Sequence, residues 1–231
     1  MSIRRLNSCV RLRCRVRRSP VKASQSGSSV GSLQPRRPAA DSAAARLRRA
    51  RLRHRYRPDQ LRLLFIGEAP PASGRFFYQC DSGLYRAIRD AFRAIHPSIT
   101  DADFLSVFQT AGCYLIDACP HPIDQLDRPS RRAACLASEP LLSLTIKKLQ
   151  PQAIVTVVRS IRGNVERAAS RAGWHGPLTD LPYPGRWLRH RNIFLATLVP
   201  TLRALGRKTH RIARVRNRWD MPSTPKSRVR L

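Results

Sequence analysis

The sequence predicts an α/β protein with a parallel sheet covered by helices on both faces. Three observations carry this. Apolar runs at 61–67, 113–117, 153–158 and 192–198 are near-continuous rather than alternating, the pattern of strands buried on both sides. Segments with apolar residues at three- and four-residue spacing lie between them. The first two runs lead into loops punctuated by Gly and Pro, at the carboxyl ends where open α/β sheets place ligands.

In chain order, Leu61 to Gly67 is the first strand, and the loop 68–83 follows. Leu84, Ala87, Ile88, Ala91, Phe92 and Ile95 fall on one face, so 84–95 reads as a helix with Asp81 or Ser82 as its cap. The stretch 104–108 fits either a strand or a helical turn. The second strand, 113–117, enters the loop Cys119-Pro120-His121-Pro122. A helix over 128–137 is followed by Ser138-Glu139-Pro140, which reads as a second helix start with Ser138 as cap and Pro140 in the first turn. Residues 153–158 are the most β-like run of the chain. A helix over 159–171, a last strand over 192–198 and a short closing helix at 202–205 complete the order.

Charge is distributed unevenly. The 231 residues carry a formal net charge of +30, with 44 Lys and Arg against 14 Asp and Glu. Residues 1–60 hold 17 basic and 2 acidic side chains, and residues 207–231 hold 9 and 1. Basic segments of this kind attract polyanions, nucleic acid above all. An Arg-rich composition inherited from a GC-rich genome explains the same excess without function. The predicted organisation is a basic, disordered leader over 1–58, an α/β domain over 59–206, and a basic, disordered tail over 207–231. Residues 43–57 could form a basic helix on a phosphate backbone, yet they hold too few apolar side chains for a core, so disorder without a partner is expected. The leader is therefore expected to be dispensable for folding.

Six cysteines are present and none form a C-x-x-C pair. The length and the missing apolar signal region argue against a secreted disulfide scaffold. No stretch approaches the roughly 18–20 apolar residues of a membrane span. A soluble, intracellular monomer is expected, cytoplasmic or nucleoid-associated. The Arg- and Ser-rich residues 1–37 also fit a mitochondrial leader.

The loop after the first strand carries the candidate chemistry. Glu68 stands at the strand end, Gly67, Ala69 and Pro70 surround it, and the aromatics Phe76 and Phe77 follow. A carboxylate and a flat apolar surface beside a backbone-rich turn suit a base-binding pocket. A βα turn without chemistry accounts for the same residues equally well.

The order of motifs resembles the uracil-DNA glycosylase superfamily, and its iron–sulfur-containing branch most closely. Gly67-Glu68-Ala69-Pro70 is similar to that branch's G-E-A-P-G, and Gly74-Arg75-Phe76-Phe77 to its G-x-P-F. Tyr114 to Pro122 resembles the strand ending in N-x-x-K-C-R-P-P. Cys135, Leu149-Gln150-Pro151 and Ile154-Val155 resemble C-x-x-x-L and L-x-P-x-x-I-V. Leu181-Pro182-Tyr183-Pro184-Gly185-Arg186 stands where the superfamily has H-P-S-P or a variant.

The resemblance spans about 61–205 and implies a three-layer α/β/α sandwich with a four-stranded, mainly parallel sheet. It also implies a hydrolase that flips a damaged base out of DNA and cleaves its N-glycosidic bond. On it, Glu68 and Asp117 are the catalytic candidates. Gly67, Ala69, Pro70 and Phe77 bind the base, with Phe77 in the stacking position. Pro182, Tyr183, Pro184, Gly185 and Arg186 meet the DNA strand, with Arg186 as a phosphate contact. Each has a plainer reading: Phe77 as a core aromatic, Glu68 as a turn cap, Arg186 as a surface side chain.

The chain also departs from the pattern. Leu115 occupies the base-reading Asn position if Cys119 is aligned with the family's Cys. Asp117, two residues on, could take its place, but an ionised Asp accepts and cannot donate. Leu181 replaces the His of the last motif. Cys119 and Cys135 match the last two ligands of the branch's iron–sulfur cluster, while the first pair would have to be Cys9 and Cys14. A cluster needs four convergent thiolates, so no metal or other cofactor is expected. Three readings stay open: a DNA glycosylase, an inactive nucleic-acid-binding protein on the same fold, or an α/β domain unrelated to nucleic acid.

Overall fold

The computed structural model describes residues 41–185 and 187–219, with side chains described as far as residue 205. Helix α1 (Ala43–Arg55) comes first, capped by Ser42 Oγ, which accepts from the Ala45 N–H. Strand β1 (Leu63–Gly67) follows, then a 3-10 turn at Phe77–Gln79, helices α2 (Gly83–Arg93) and α3 (Phe104–Thr110), and strand β2 (Cys113–Asp117). Helix α4 (Arg128–Leu149), strand β3 (Ala153–Thr156), helix α5 (Arg162–Arg171), strand β4 (Leu178–Asp180) and helix α6 (Leu188–Trp219) complete the chain.

The four strands form one sheet in the order β2-β1-β3-β4, and every pair is parallel. Each step from strand to strand therefore needs a helical crossover. Helix α4 packs on α5, and α2 packs on α6. The three-layer α/β/α expectation holds, with a wholly parallel sheet. β1 and β3 form its centre, and all of β1 is buried, which accounts for its uninterrupted apolar sequence.

Several expectations change. The run 192–198 is helical and lies inside α6. Phe194, Leu198 and Leu202 recur every fourth residue and are all buried, so a helical apolar stripe was present within a β-like composition. The closing helix at 202–205 belongs to the same element. The fourth strand is instead Leu178–Asp180, three residues beginning just after Gly176-Pro177 and too short to show a period.

Helix α4 runs unbroken through Pro140, which is exposed. Asp127 is its cap, accepting from the Ser130 N–H at 2.9 Å. Ser138 caps nothing and donates its hydroxyl to the Ala134 carbonyl in its own helix. The stretch 104–108 belongs to α3.

The leader does not extend to residue 58. From Ala43 the chain is helical and docked. Tyr56, just past α1, stacks on Tyr78 with ring centroids 5.7 Å apart. The Tyr78 hydroxyl accepts from the Leu115 N–H at 2.8 Å and donates to the Leu115 carbonyl. Tyr78 thus occupies backbone groups on the outer edge of β2, a usual way of closing a sheet edge. Residues 1–40, with Cys9 and Cys14, lie outside the described residues. Of the expected tail over 207–231, the backbone is helical as far as Trp219 and the remainder lies outside the described residues.

Candidate active site

The register of the sheet builds the site. Parallel pairing sets Gly67 beside Asp117 at the carboxyl ends of β1 and β2. A Cβ on Gly67 would stand 3.0 Å from Asp117 Oδ1, so the bare glycine lets the carboxylate lie against the strand end. Glu68 comes next, where β1 opens into its loop.

A cavity of about 430 Å3 lies over this end of the sheet. Gly67, Glu68, Ala69, Pro70, Phe77 and Asp117 all line it, so the residues singled out around the first two strands converge. Tyr183 reaches it from the loop after β4. Pro182 and Pro184 are buried in that loop and do not line the cavity. Gly185 supports Tyr183, because a Cβ there would meet the tyrosine ring at 2.9 Å. Arg186 lies outside the described residues. Phe77 is 3% exposed and packs on Tyr78, Tyr85, Phe104 and Phe108. It is therefore a core aromatic that also offers surface to the cavity.

Both carboxylates carry an arginine. Arg131 of α4 donates two hydrogen bonds to Glu68, one to each oxygen, with Nε to Oε1 at 2.9 Å. Arg53 of α1 donates to Asp117 Oδ2 at 2.7 Å, and its guanidinium lies over the Phe76 ring. Burial pushes the Asp117 carboxyl above its ordinary value, and the Arg53 and Arg49 guanidinium groups pull back without cancelling the rise. Sequence reading missed both arginines. Arg131 stands one helical turn before Cys135 on α4, and that spacing was its only signal.

Cys119 and Cys135 are buried neighbours, Sγ to Sγ 3.7 Å, with Cys135 Sγ 4.0 Å from Glu68 Oε1. Burial pushes the Cys135 thiol up to about 12, so it stays protonated. Two thiols do not make a four-cysteine cluster, and among the described residues no group of three or more His, Cys, Asp or Glu could hold a metal ion. The described residues do not fit the cluster. His121 points elsewhere, with Nδ1 3.1 Å from Asp41. Among the described residues, no helix is long and apolar enough to cross a membrane.

An all-parallel four-stranded sheet between two helical layers, with a carboxylate-bearing cavity at its carboxyl edge, defines the class of protein. The family model described as the uracil DNA glycosylase superfamily matches residues 54–220, and the chain belongs to that superfamily. No curated protein matches the chain in sequence.

Proposed function

We propose that the chain is a DNA glycosylase that hydrolyses the N-glycosidic bond of a flipped base, deaminated bases included. The observation that carries this is the convergence of Glu68, Asp117 and Phe77 on one cavity. The cavity falls in the volume range of small-ligand sites. A base extruded from the stack would enter between Phe77 and the loop carrying Tyr183.

Water adds at the sugar C1′ as the C1′–N bond breaks, the bonding electrons leave with the base, and the proton that the water loses is balanced by the one that the departing base takes up. Glu68 lies where it can orient that water and stabilise positive charge developing on the sugar. Asp117 accepts hydrogen bonds from N–H groups on the base edge. Tyr183, which lines the cavity, is 49% exposed, and Trp187 and Leu188, four and five residues further along the chain, are 70% and 72% exposed. Large apolar side chains presented this way suit insertion into the gap a departing base leaves.

A specific observation favours the inactive alternative. Both carboxylates are already engaged by arginine, Glu68 through both oxygens and Asp117 through Oδ2, which leaves fewer acceptor positions for a water or a base edge. One assay separates the readings. The full chain is incubated with duplex and single-stranded oligonucleotides carrying uracil, hypoxanthine, xanthine or a normal base, and alkali reveals abasic sites. Cleavage of a damaged base that Glu68→Gln abolishes is the expected outcome. Salt-sensitive binding without cleavage establishes the binding protein instead.

A further inference from the structure

A second cavity, of about 580 Å3, lies between α1 and α4 over β2. One wall is a stripe of arginines on α1 and its exit: Arg46, Arg49, Arg53 and Arg57. They recur every three or four residues, so they share a face about one helical turn apart and span roughly 16 Å. Lys148 faces them from the last turn of α4. The other wall is apolar, with Leu141 and Leu144 on α4 54% and 66% exposed. Among the described residues, Arg57 and Lys148 enter no ion pair. Asp117 lines this cavity as well as the first, and Arg53 bonds to it, so the two spaces share a wall at the carboxyl end of β2. Most of α1 precedes the stretch matched by the family model, which begins at residue 54.

We propose that the α1–α4 groove is a second nucleic-acid site, a track for single-stranded DNA leading to the base cavity. Arg57 and Lys148 take phosphates directly, Arg46 and Arg49, which share Asp41, add positive charge along the same wall, and the leucine wall takes the apolar faces of sugars and bases. Bases present their apolar faces to such a wall only when they are unpaired, which selects single-stranded DNA. The inference rests on DNA as the ligand of the first cavity, and on nothing about cleavage there.

The test is binding of the full chain to a fluorescent single-stranded oligonucleotide with only normal bases, followed by anisotropy across a salt series. Arg57→Ala with Lys148→Ala is compared with the native chain and with Arg171→Ala, which lies outside both cavities. For single strands the slope of log affinity against log salt becomes shallower by about 0.7 for each phosphate the protein no longer neutralises. The double variant is expected to have a slope shallower by about 1.4 and weaker binding at low salt, and Lys148→Glu alone to weaken it similarly. Arg171→Ala is expected to change neither, and all three variants to melt as the native chain does.

An unchanged slope in the double variant overturns the track. So does an acidic peptide that displaces the oligonucleotide as well as unlabelled DNA and loses its own affinity in the same variant, since that outcome makes the groove a protein site. The probe contains no damaged base. A chain that never cleaves DNA but shows the shallower slope in the double variant retains the track and loses only the glycosylase reading.

Discussion

Asp117 and its neighbours concentrate the consequences of single residues. Its carboxyl is raised from the ordinary 3.8, with burial opposing Arg53 and Arg49. If the ionised form acts on the base, the acid limb of activity lies above that ordinary value. Removing Arg53 takes away a charge that favours the ionised form, so Arg53→Gln is expected to move the limb to higher pH; a pH–rate profile unchanged by the substitution would assign the limb elsewhere. Gly67 supplies a second prediction. Gly67→Ala places a methyl 3.0 Å from Asp117 Oδ1 and displaces the carboxylate while leaving the strand paired. Turnover is expected to fall about tenfold, or about 1.4 kcal/mol, with the melting temperature unchanged. That Glu68 and Phe77 stand at one cavity was legible in the sequence, because a carboxylate and an aromatic follow a recognisable strand end. Arg53 and Arg131 were not, because each reaches its partner across 63 or 64 residues and no local pattern encodes that pairing.

Elements were legible where one period dominates. β1 is buried throughout and β2 as far as Ile116, and α2 shows a clean apolar face, so each was found close to its true bounds. α6 was misread because Asn192-Ile193-Phe194-Leu195 has strand composition, although its buried residues recur at helical spacing. α4 was divided at Pro140 because proline removes a helix donor. The chain tolerates it on an exposed position, beside a clamp that fixes the helix. Glu139 is buried, accepts from Arg167 Nε at 3.0 Å and from Asn164 at 2.8 Å, and so ties α4 to α5. Those bonds, Arg167 first, hold its carboxyl below the ordinary 4.5. The folded state therefore favours the ionised form. Its stabilisation is fully present above the unfolded value and is lost as pH falls below it. Arg167 is half exposed, so Glu139→Gln is expected to cost only about 1–2 kcal/mol at neutral pH. Denaturant melts should show that difference shrinking below pH 4.5.

At the scale of the whole molecule, the role of the N-terminal basic segment decides how the chain is divided. Composition treats everything before residue 59 as a leader, because the segment holds few apolar side chains and its charge dominates. Its packing gives it a place in the domain. Leu52 and Tyr56 pack on the core, Arg53 neutralises Asp117, and Tyr56 stacks on the tyrosine that occupies the β2 edge. A chain beginning at residue 59 retains every strand and the helices α2 to α6, so it is expected to fold. Removing two half-buried apolar side chains costs about 2–3 kcal/mol, which a lowered melting temperature would register. Without Arg53, Asp117 keeps its desolvation and is deprived of its nearest compensating cation, so the acid limb should rise as it does in Arg53→Gln. Removal of the groove's arginine wall should also flatten the salt dependence of single-strand binding. A shortened chain that matches the full one in melting, pH profile and salt slope would return α1 to the leader and leave the α/β/α core as the whole working unit.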